Sequence, residues 1–457
     1  MSTRVDSETR ALRAPGPFVE PMEGSDWMLL RFEAPDTPMH TLKMVELDTS
    51  GRGRQVTLDE IAAVVPRYLG ISPYYTCRVE RIDGRWHWVQ DQSFDLAQHL
   101  DERHVADRDE LRALFVELAE GHLDRDRPLW AITLVHGLPD GRQVAIVRAH
   151  HALMDGTAAA HLFGRVTTTV PGTSPAEPGE LPAARSADRP PLRRRLAAVG
   201  AATREGRRRT REFAPSADVP RKSLPRSMFN TTTGTSERRC GTSELSLPEV
   251  REVADLAGTN INGAIHGIFA IALRRHMLAH GVTPRGPLVS NFGVAEDRTR
   301  ERCDGNRLAT ARVWLPVEDE DMVNAVRRAG RSCEESVALR RQRGFELQAL
   351  AAEFSSFIPY LRERFVRFMF ATPVHVLTAY VGGPRETRWF GDVKVAAWTS
   401  IAVSVTPANV SFTAYTYEDR ISLGMVTTPA SMEDPQAFLG VVREVVADLL
   451  VLARAES

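Results

Sequence analysis

Residues 147–163, VRAHHALMDGTAAAHLF, place two adjacent histidines between an apolar stretch and an Asp-Gly pair. The residues before the histidines alternate as a β-strand requires, and TAAAHLFGRV after the Asp-Gly pair has the apolar spacing of a helix. His150 and His151 therefore lie at a predicted strand-to-helix junction, where α/β proteins tend to expose functional groups. Because neighbouring residues of a strand point to opposite faces, at most one histidine is expected to face a given pocket.

Three roles are compatible with this histidine pair. Imidazole accepts a proton near neutral pH, so one histidine can act as a general base while Asp155 holds the turn through an arginine. Arg148 is the nearby candidate for that arginine, although it shares the strand face of His150. Alternatively the histidines are core residues, or they bind a metal, for which a third spaced ligand is lacking. With no Gly-x-Ser-x-Gly motif and no cysteine near the pair, the pattern favours the general base.

Length and composition limit the class of protein. A chain of 457 residues suggests about two domains, and a hydrophobic share of 43% with 26% charged residues is typical of a soluble globular protein. The formal net charge of -1 argues against nucleic acid as a partner. The four cysteines have no CxxC or metal-ligand spacing, so they are interpreted as buried or incidental thiols in a reducing compartment.

The element pattern predicts two lobes joined by a linker. An N-terminal lobe (1–170) and a C-terminal lobe (229–457) both mix helical and strand patterns, whereas residues 171–228 are rich in Pro, Ser and Arg. That middle stretch is too long for a structureless loop inside a compact domain and is interpreted as a linker. Its residues 192–212 are compatible with a short helix.

Local signals predict individual elements within the lobes. Thr57 caps a predicted helix over 57–69, and a second amphipathic pattern covers 111–123. Asp83-Gly84 predicts a tight hairpin, and Pro139-Asp140-Gly141 predicts the turn of a second strand pair. In the C-terminal half the pattern predicts two helices between 247 and 281, several strands, and a long closing helix from 435.

The sequence predicts a cytoplasmic protein whose membrane contact, if it has any, is peripheral. The N-terminus is polar and lacks the apolar core of a secretory signal, and no run approaches eighteen apolar residues. Two basic runs in the linker are either a solvated face or a contact for anionic lipid headgroups; they are Arg193–Arg195 and Arg207–Arg209.

Several motifs together resemble one known family. HHALMDG matches the HHxxxDG motif shared by CoA-dependent acyltransferases and condensation domains. Further segments narrow the resemblance to the bacterial wax ester synthase/diacylglycerol acyltransferases. These segments are GSDWMLLRFEAPDTPMHTLKMVEL (24–47), WVQDQSFDLAQHL, DRPLW (126–130), GNRLATARVWLP and VSFTAYTYEDRISLG. The resemblance covers nearly all the chain except its first twenty or so residues and the linker.

The resemblance implies a fold and a reaction. The expected fold is α/β, with two chloramphenicol-acetyltransferase-like lobes of mixed sheets and flanking helices, and an active-site tunnel between them. The reaction implied is direct transfer of a long-chain acyl group from acyl-CoA to diacylglycerol or a long-chain alcohol. Acyl-CoA is then a co-substrate, and neither a further cofactor nor a metal is expected. The implied location is cytoplasmic, with peripheral contact to the inner membrane or to lipid droplets.

The same resemblance implies roles for individual residues. His151 would be the base, His150 its structural neighbour and Asp155 the orienting carboxylate. Gly156 and Arg148 would be structural residues of the active site. By the position of their motifs, two residues would contact substrate, namely Trp130 and Asn306.

The second half departs from the family pattern at three places. Asn262-Gly263 stands where Asn-Asp is usual, and Phe292 lies near an expected arginine. Tyr380-Val381-Gly382-Gly383-Pro384 stands where the family has an Asn-Val-Pro-Gly-Pro turn. Residues 354–377, rich in Phe and Arg, are interpreted as a core helix, an acyl tunnel or a membrane-surface helix.

Two further functions stay open: acyl transfer to another hydroxyl or amine acceptor, and binding of lipid or acyl-CoA without turnover.

Overall fold

The computed structural model describes most of both halves of the chain. The described residues are 18–175, 192–212, 219–220, 224–231, 234–296, 301–343 and 374–456. The predicted Phe/Arg segment at 354–377 therefore lies outside the described residues except for its last four positions.

Helices and strands mix throughout the first half. Its elements are β1 (Val19–Pro21), α1 (Gly24–Phe32), β2 (His40–Asp48), α2 (Leu58–Leu69), β3 (Cys77–Ile82), β4 (Arg85–Gln90), β5 (Leu100–His104), α3 (Arg108–Glu120), β6 (Trp130–His136), β7 (Gln143–His150), α4 (Gly156–Val166) and α5 (Leu192–Glu212). Short 3₁₀ helices also occur in the described part of this half, at Ser50–Arg52, Pro73–Thr76 and Leu96–His99.

The second half has the same mixed character. Its elements are β8 (Arg239–Ser246), α6 (Leu247–Ala257), α7 (Ile261–Ala279), β9 (Leu288–Ala295), β10 (Leu308–Leu315), α8 (Met322–Arg343), β11 (Val376–Gly382), β12 (Trp389–Phe390), β13 (Val393–Ile401), β14 (Ser411–Tyr417), β15 (Arg420–Thr427) and α9 (Pro435–Glu456).

Local sequence signals explain several element boundaries. The predicted helix over 57–69 is confirmed as α2, and Thr57 and Glu60 form a reciprocal capping box at its start. The predicted hairpin is confirmed between β3 and β4, where Asp83 and Gly84 both have positive φ, 48° and 77°. Helix α3 begins before its predicted start at 111, because the Asp107 side chain accepts hydrogen bonds from two backbone N–H groups of the first turn.

Two six-stranded mixed sheets form the framework. The first sheet has the order β12-β13-β2-β7-β6-β5, and the second has the order β10-β9-β11-β14-β15-β8. A small three-stranded sheet, β1-β4-β3, lies beside them. The predicted α/β architecture of two lobes with mixed sheets and flanking helices is therefore present.

The first lobe, meaning the first sheet with the helices that cover it, includes strands from both halves of the chain. Strands β12 and β13, which lie within residues 229–457, join the first sheet, where β13 pairs antiparallel with β2. The domain boundaries predicted at 1–170 and 229–457 stay a prediction, and the first sheet takes strands from both ranges. The predicted helix in the linker is present as α5 (Leu192–Glu212).

Each sheet is covered by amphipathic helices. On one face of the first sheet, Leu111 and Phe115 of α3 pack against Val144 and Ile146 of β7, and α2 and α4 cover the opposite face. Around the second sheet α6, α7 and α9 form the largest apolar core. All four cysteines are buried and free, as the sequence predicts.

Within the described ranges, no single helix is both long and apolar enough to cross a membrane. Helices α6 and α7 reach the required length and hydropathy only as a pair, and they are bent by 89° relative to each other.

Candidate active site

The histidine motif occupies a strand–turn–helix junction. Strand β7 ends at His150, a turn follows, and α4 begins at Gly156. Asp155 is the N-cap of α4, because its Oδ1 accepts hydrogen bonds from the backbone N–H groups of Thr157 at 3.0 Å and Ala158 at 2.9 Å. The sequence predicts this junction, and the structure confirms it.

His150 and His151 lie in different surroundings. His150 is buried, and its Nδ1 accepts a hydrogen bond from the backbone N–H of Ala152 at 3.0 Å. Its Nε2 lies 3.8 Å from Glu33 Oε1, and burial lowers the pKa of His150 well below its ordinary value. His150 is therefore a neutral ring held in the protein interior, and it does not line the cavity that contains His151.

The hydrogen bonds of Asn306 fix the tautomer of His151. The Asn306 Nδ2 group donates to Asp26 Oδ1 at 2.9 Å and to the His151 carbonyl at 2.7 Å, so its Oδ1 is the acceptor. That Oδ1 lies 3.0 Å from His151 Nδ1, which must therefore donate its N–H. Nε2 is left with a free lone pair, and burial lowers the pKa of the ring below its ordinary value. The arrangement suits proton abstraction by Nε2.

Asp155 is held by Arg302, which lies 147 positions further along the chain. Arg302 Nη2 lies 2.5 Å from Asp155 Oδ2, and the backbone N–H of Arg307 donates to the same oxygen at 3.0 Å. The Asp155 side chain is buried, and that of Arg302 is half-buried. The prediction that Arg148 pairs with Asp155 is wrong. Arg148 lies on the His150 face of β7, as strand alternation requires, and the charges that act on it include Asp101 and Glu117.

The segment that contains Arg302 and Asn306 closes over the motif through its backbone. The Gly305 N–H donates to the Leu153 carbonyl at 2.7 Å, and the Asp155 N–H donates to the Gly305 carbonyl at 3.2 Å. Gly305 has a left-handed φ of 68°, which favours glycine at this close approach. One short segment of the second half therefore supplies both the partner of His151 and the partner of Asp155.

Two further predicted site residues, Gly156 and Trp130, lie in different parts of the structure. Gly156 lies against the second sheet, and a Cβ atom there would come within 2.9 Å of both Tyr415 Oη and Val381 Cγ2. Trp130 stacks on His99 at 4.4 Å between ring centroids and donates its indole N–H to the Tyr75 carbonyl at 2.7 Å. It lines a separate apolar cavity of the first lobe and is not brought together with His151.

His151 lines a cavity of about 280 Å³ between the two lobes, called the His151 chamber below. Its walls come from α1, β2, the motif and the second sheet. The polar side chains that line it are Ser25, Thr41, Lys43, His151, Thr157, Asn291, Asn306, Thr310, Thr378, Tyr380, Ser400, Ser411, Thr413 and Tyr415. The apolar part of the wall suits a lipid substrate, and the polar groups can orient its reacting end.

Sequence reasoning missed three residues that matter here. Arg302 holds Asp155, and Lys43 lines the chamber as a buried cation. Asp26 accepts hydrogen bonds from both the backbone and the side chain of Asn306, and burial together with Glu23 raises its pKa to about 8. Asp26 lies in a segment that carries the family resemblance, but a lone Asp in a helical pattern does not indicate its partner.

The departures from the family pattern have structural counterparts. At Gly263 a Cβ would lie 2.6 Å from the Gly330 Cα, so this glycine permits close packing of α7 and α8. At Gly383 a Cβ would lie 2.2 Å from the Thr416 carbonyl oxygen. Phe292 forms part of the wall of the His151 chamber. Within the described ranges, no group of three or more His, Cys, Asp or Glu side chains is placed to hold a metal ion.

Several solved structures have a similar fold. A wax ester synthase/diacylglycerol acyltransferase from Marinobacter aquaeolei VT8 superposes with a TM-score of 0.67 at 20% identity, covering 95% of this chain and 99% of that one. A trichothecene 15-O-acetyltransferase from Fusarium sporotrichioides has a TM-score of 0.60 at 13% identity, with coverages of 95% and 96%. The starter condensation domain of rhizomide synthetase, solved with C8-CoA, has a TM-score of 0.58 at 12% identity, covering 95% of each chain. At these identities the likeness establishes the fold.

Sequence comparison establishes the family. The wax ester synthase/diacylglycerol acyltransferase catalytic domain matches residues 22–265, and the C-terminal domain of the same family matches residues 304–449. Two proteins of Mycobacterium tuberculosis H37Rv with the provisional name diacylglycerol O-acyltransferase are similar along their whole length. One is 26% identical over 95% of this chain and 96% of its own, and the other is 28% identical over 95% and 98%. This chain is therefore a member of the wax ester synthase/diacylglycerol acyltransferase family of acyltransferases.

Proposed function

We propose that this protein transfers a long-chain acyl group from acyl-CoA to the hydroxyl group of diacylglycerol or a long-chain alcohol, forming triacylglycerol or wax ester. The observation that carries the proposal is the hydrogen bond from His151 Nδ1–H to Asn306 Oδ1, which leaves Nε2 as a proton acceptor in the cavity between the lobes. The family assignment supports acyl transfer, and the mostly apolar wall of the chamber supports lipid substrates.

The proposed reaction needs one base and no acyl-enzyme. His151 Nε2 removes the proton from the acceptor hydroxyl as its oxygen attacks the thioester carbon. The carbon–sulfur bond then breaks, and the leaving CoA sulfur takes the proton back from the His151 imidazolium. Asn306 keeps Nδ1 protonated throughout, so the ring returns to its starting tautomer.

Direct transfer agrees with the state of the cysteines. Burial raises the pKa of the thiols of Cys240, Cys303 and Cys333 to about 12, and it raises the pKa of Cys77 further. None of these cysteines is among the residues that line the His151 chamber. Holding both substrates in one chamber then supplies the proximity that a covalent intermediate would otherwise provide.

Radiolabelled palmitoyl-CoA, offered with a panel of acceptors, tests the substrate assignment. We expect labelled triacylglycerol with diacylglycerol, or labelled wax ester with hexadecanol, together with release of free CoA, read by lipid chromatography. A product formed only with an amine or a non-lipid hydroxyl would replace the proposed acceptor. Binding of palmitoyl-CoA by the wild type without any product would instead identify a lipid-binding protein.

The lipid acceptors lead to a prediction about membranes. Diacylglycerol and long-chain alcohols partition into bilayers and droplets, and Arg193, Arg194 and Arg207 of α5 are exposed. Each basic residue near an anionic leaflet contributes about 1 kcal/mol, which salt reduces. We therefore expect the protein to co-sediment with anionic vesicles at low salt and less at high salt. Replacing Arg193–Arg195 and Arg207–Arg209 by Gln should remove the salt-sensitive part of binding.

Neutral vesicles of the same size provide the control for this experiment. If the wild type does not co-sediment with anionic vesicles even at low salt, the basic runs are a solvated face and the peripheral location is wrong.

A further inference from the structure

The first lobe contains a second cavity, called the apolar chamber below. It has a volume of about 210 Å³. Helices α2 and α4 and one face of the first sheet enclose it. Nearly all its wall is aliphatic or aromatic, including Ile61, Val65, Val147, Leu162, Phe163 and Trp398. A cavity with such a wall accommodates a hydrocarbon chain better than it accommodates water.

Lys43 lies in the wall of this chamber and in the wall of the His151 chamber. Among the residues that the structure describes, it alone lines both cavities, and no other charged residue lies in the wall of the apolar chamber. On β2, Lys43 shares its face with Val45 and Leu47, which also line the apolar chamber. Its ammonium group donates to Thr41 Oγ1 at 2.9 Å and lies 5.9 Å from the ring centroid of Tyr415.

The Lys43 ammonium group lacks an anionic partner at contact distance. Among the described residues no carboxylate lies within 4.0 Å of it, and Asp155, the charge that attracts it from further away, already pairs with Arg302. Lys43 is only 8% exposed, and burial lowers its pKa to about 7. A buried cation is stable when an anion accompanies it, so a ligand that brings a negative charge to this position gains an ion pair.

We propose that the apolar chamber and Lys43 form a binding site for a free fatty acid. The hydrocarbon tail lies in the apolar chamber, and the carboxylate accepts a hydrogen bond from Lys43 Nζ at the junction with the His151 chamber. The site itself is independent of the proposed reaction, since binding requires no turnover.

Three ligands with the same tail and different heads test the site: decanoate, decan-1-ol and decylamine. Isothermal titration calorimetry at pH 6.5 compares the wild type with Lys43→Met, which keeps the length of the side chain and removes its charge. The matched control is Lys394→Met, the same substitution in the neighbouring strand β13. We expect the wild type to bind decanoate more tightly than the alcohol and to reject the amine. Lys43→Met should weaken decanoate binding about tenfold to a hundredfold, the range of a charge-assisted hydrogen bond, and leave decan-1-ol unchanged.

A second variant tests whether the hydrocarbon tail lies in the apolar chamber. Val147→Phe places a larger side chain in the apolar chamber, so it should weaken decanoate and decan-1-ol alike, with thermal unfolding monitored to confirm that the lobe stays folded. Equal decanoate affinity in the wild type and Lys43→Met would overturn the proposal, whatever the enzyme activity. Conversely, Lys43-dependent decanoate binding in a protein that makes no acyl product would support this site and refute the proposed function.

Discussion

Substitution of His151 by alanine is expected to lower kcat for acyl transfer by about a hundredfold or more while the protein stays folded. A positioned general base contributes about 10²- to 10⁴-fold to the rate, and His151 is the histidine that lines the chamber between the lobes. The measurement is the rate of CoA release from palmitoyl-CoA at saturating acceptor. Circular dichroism and thermal unfolding of the variant show whether the fold is intact.

The pH dependence of the reaction should reflect the lowered pKa of His151. Burial lowers the pKa of this ring below 6.5, so the neutral, proton-accepting form predominates at pH 7. The rate should therefore be level near neutrality and fall only as the pH drops through the lowered pKa. Asn306 stabilises the protonated ring, so Asn306→Leu should move this acidic limb to still lower pH and reduce kcat about tenfold or more. A purely structural role of Asn306 would leave the position of the limb unchanged.

His150→Ala provides the comparison for this prediction. His150 is buried, neutral and bonded to the Ala152 backbone, so its loss should reduce stability more than it reduces kcat. If His151→Ala retained wild-type activity, or if His150→Ala alone abolished it in a folded protein, His151 would not be the base.

The local sequence predicts the motif well because strand alternation and helix capping are local effects. The separation of His150 from His151 follows from strand alternation, and the start of α4 follows from Asp155-Gly156. The same alternation shows why Arg148 is the wrong partner for Asp155, since it places Arg148 on the His150 face. Sequence reasoning therefore located the histidine that lines the chamber and the N-cap of α4, but it selected the partner of Asp155 by proximity along the chain.

The partners of these groups could not be read from the sequence because they come from distant segments. Asn306 lies 155 positions after His151, and the Asn306–Asp26 contact spans 280 positions. A lone Asp or Arg in a loop carries no periodicity that indicates its contact, so only the fold brings these residues together. The same limit applies to β13, whose alternation predicts a strand but does not indicate that it pairs with β2 of the first lobe.

Asp155→Asn is expected to lower the free energy of unfolding by about 3 kcal/mol. Breaking a buried ion pair by removing one partner costs about 3–5 kcal/mol, because the remaining charge stays buried without compensation. Here the remaining charge is that of Arg302, whose side chain is 13% exposed, while that of Asp155 is 1% exposed. The Asn side chain keeps an oxygen that can still cap α4, so the loss reports the ion pair together with the hydrogen bond from the Arg307 backbone N–H, separately from the helix cap.

Urea-induced unfolding of Asp155→Asn, Arg302→Met and the double variant measures this pair. Because the two side chains share one interaction, we expect the double variant to be less destabilised than the sum of the single variants. The acidic limb of the pH–rate profile should persist in Asp155→Asn, since His151 sets it, but it should move to lower pH, because the Asp155 charge raises the pKa of His151. Additive losses of stability would show that Asp155 and Arg302 act independently. Loss of a limb of the pH–rate profile in a folded Asp155→Asn protein would show instead that Asp155 takes part in proton transfer, and the Asn306–His151 hydrogen bond alone would then not account for the chemistry.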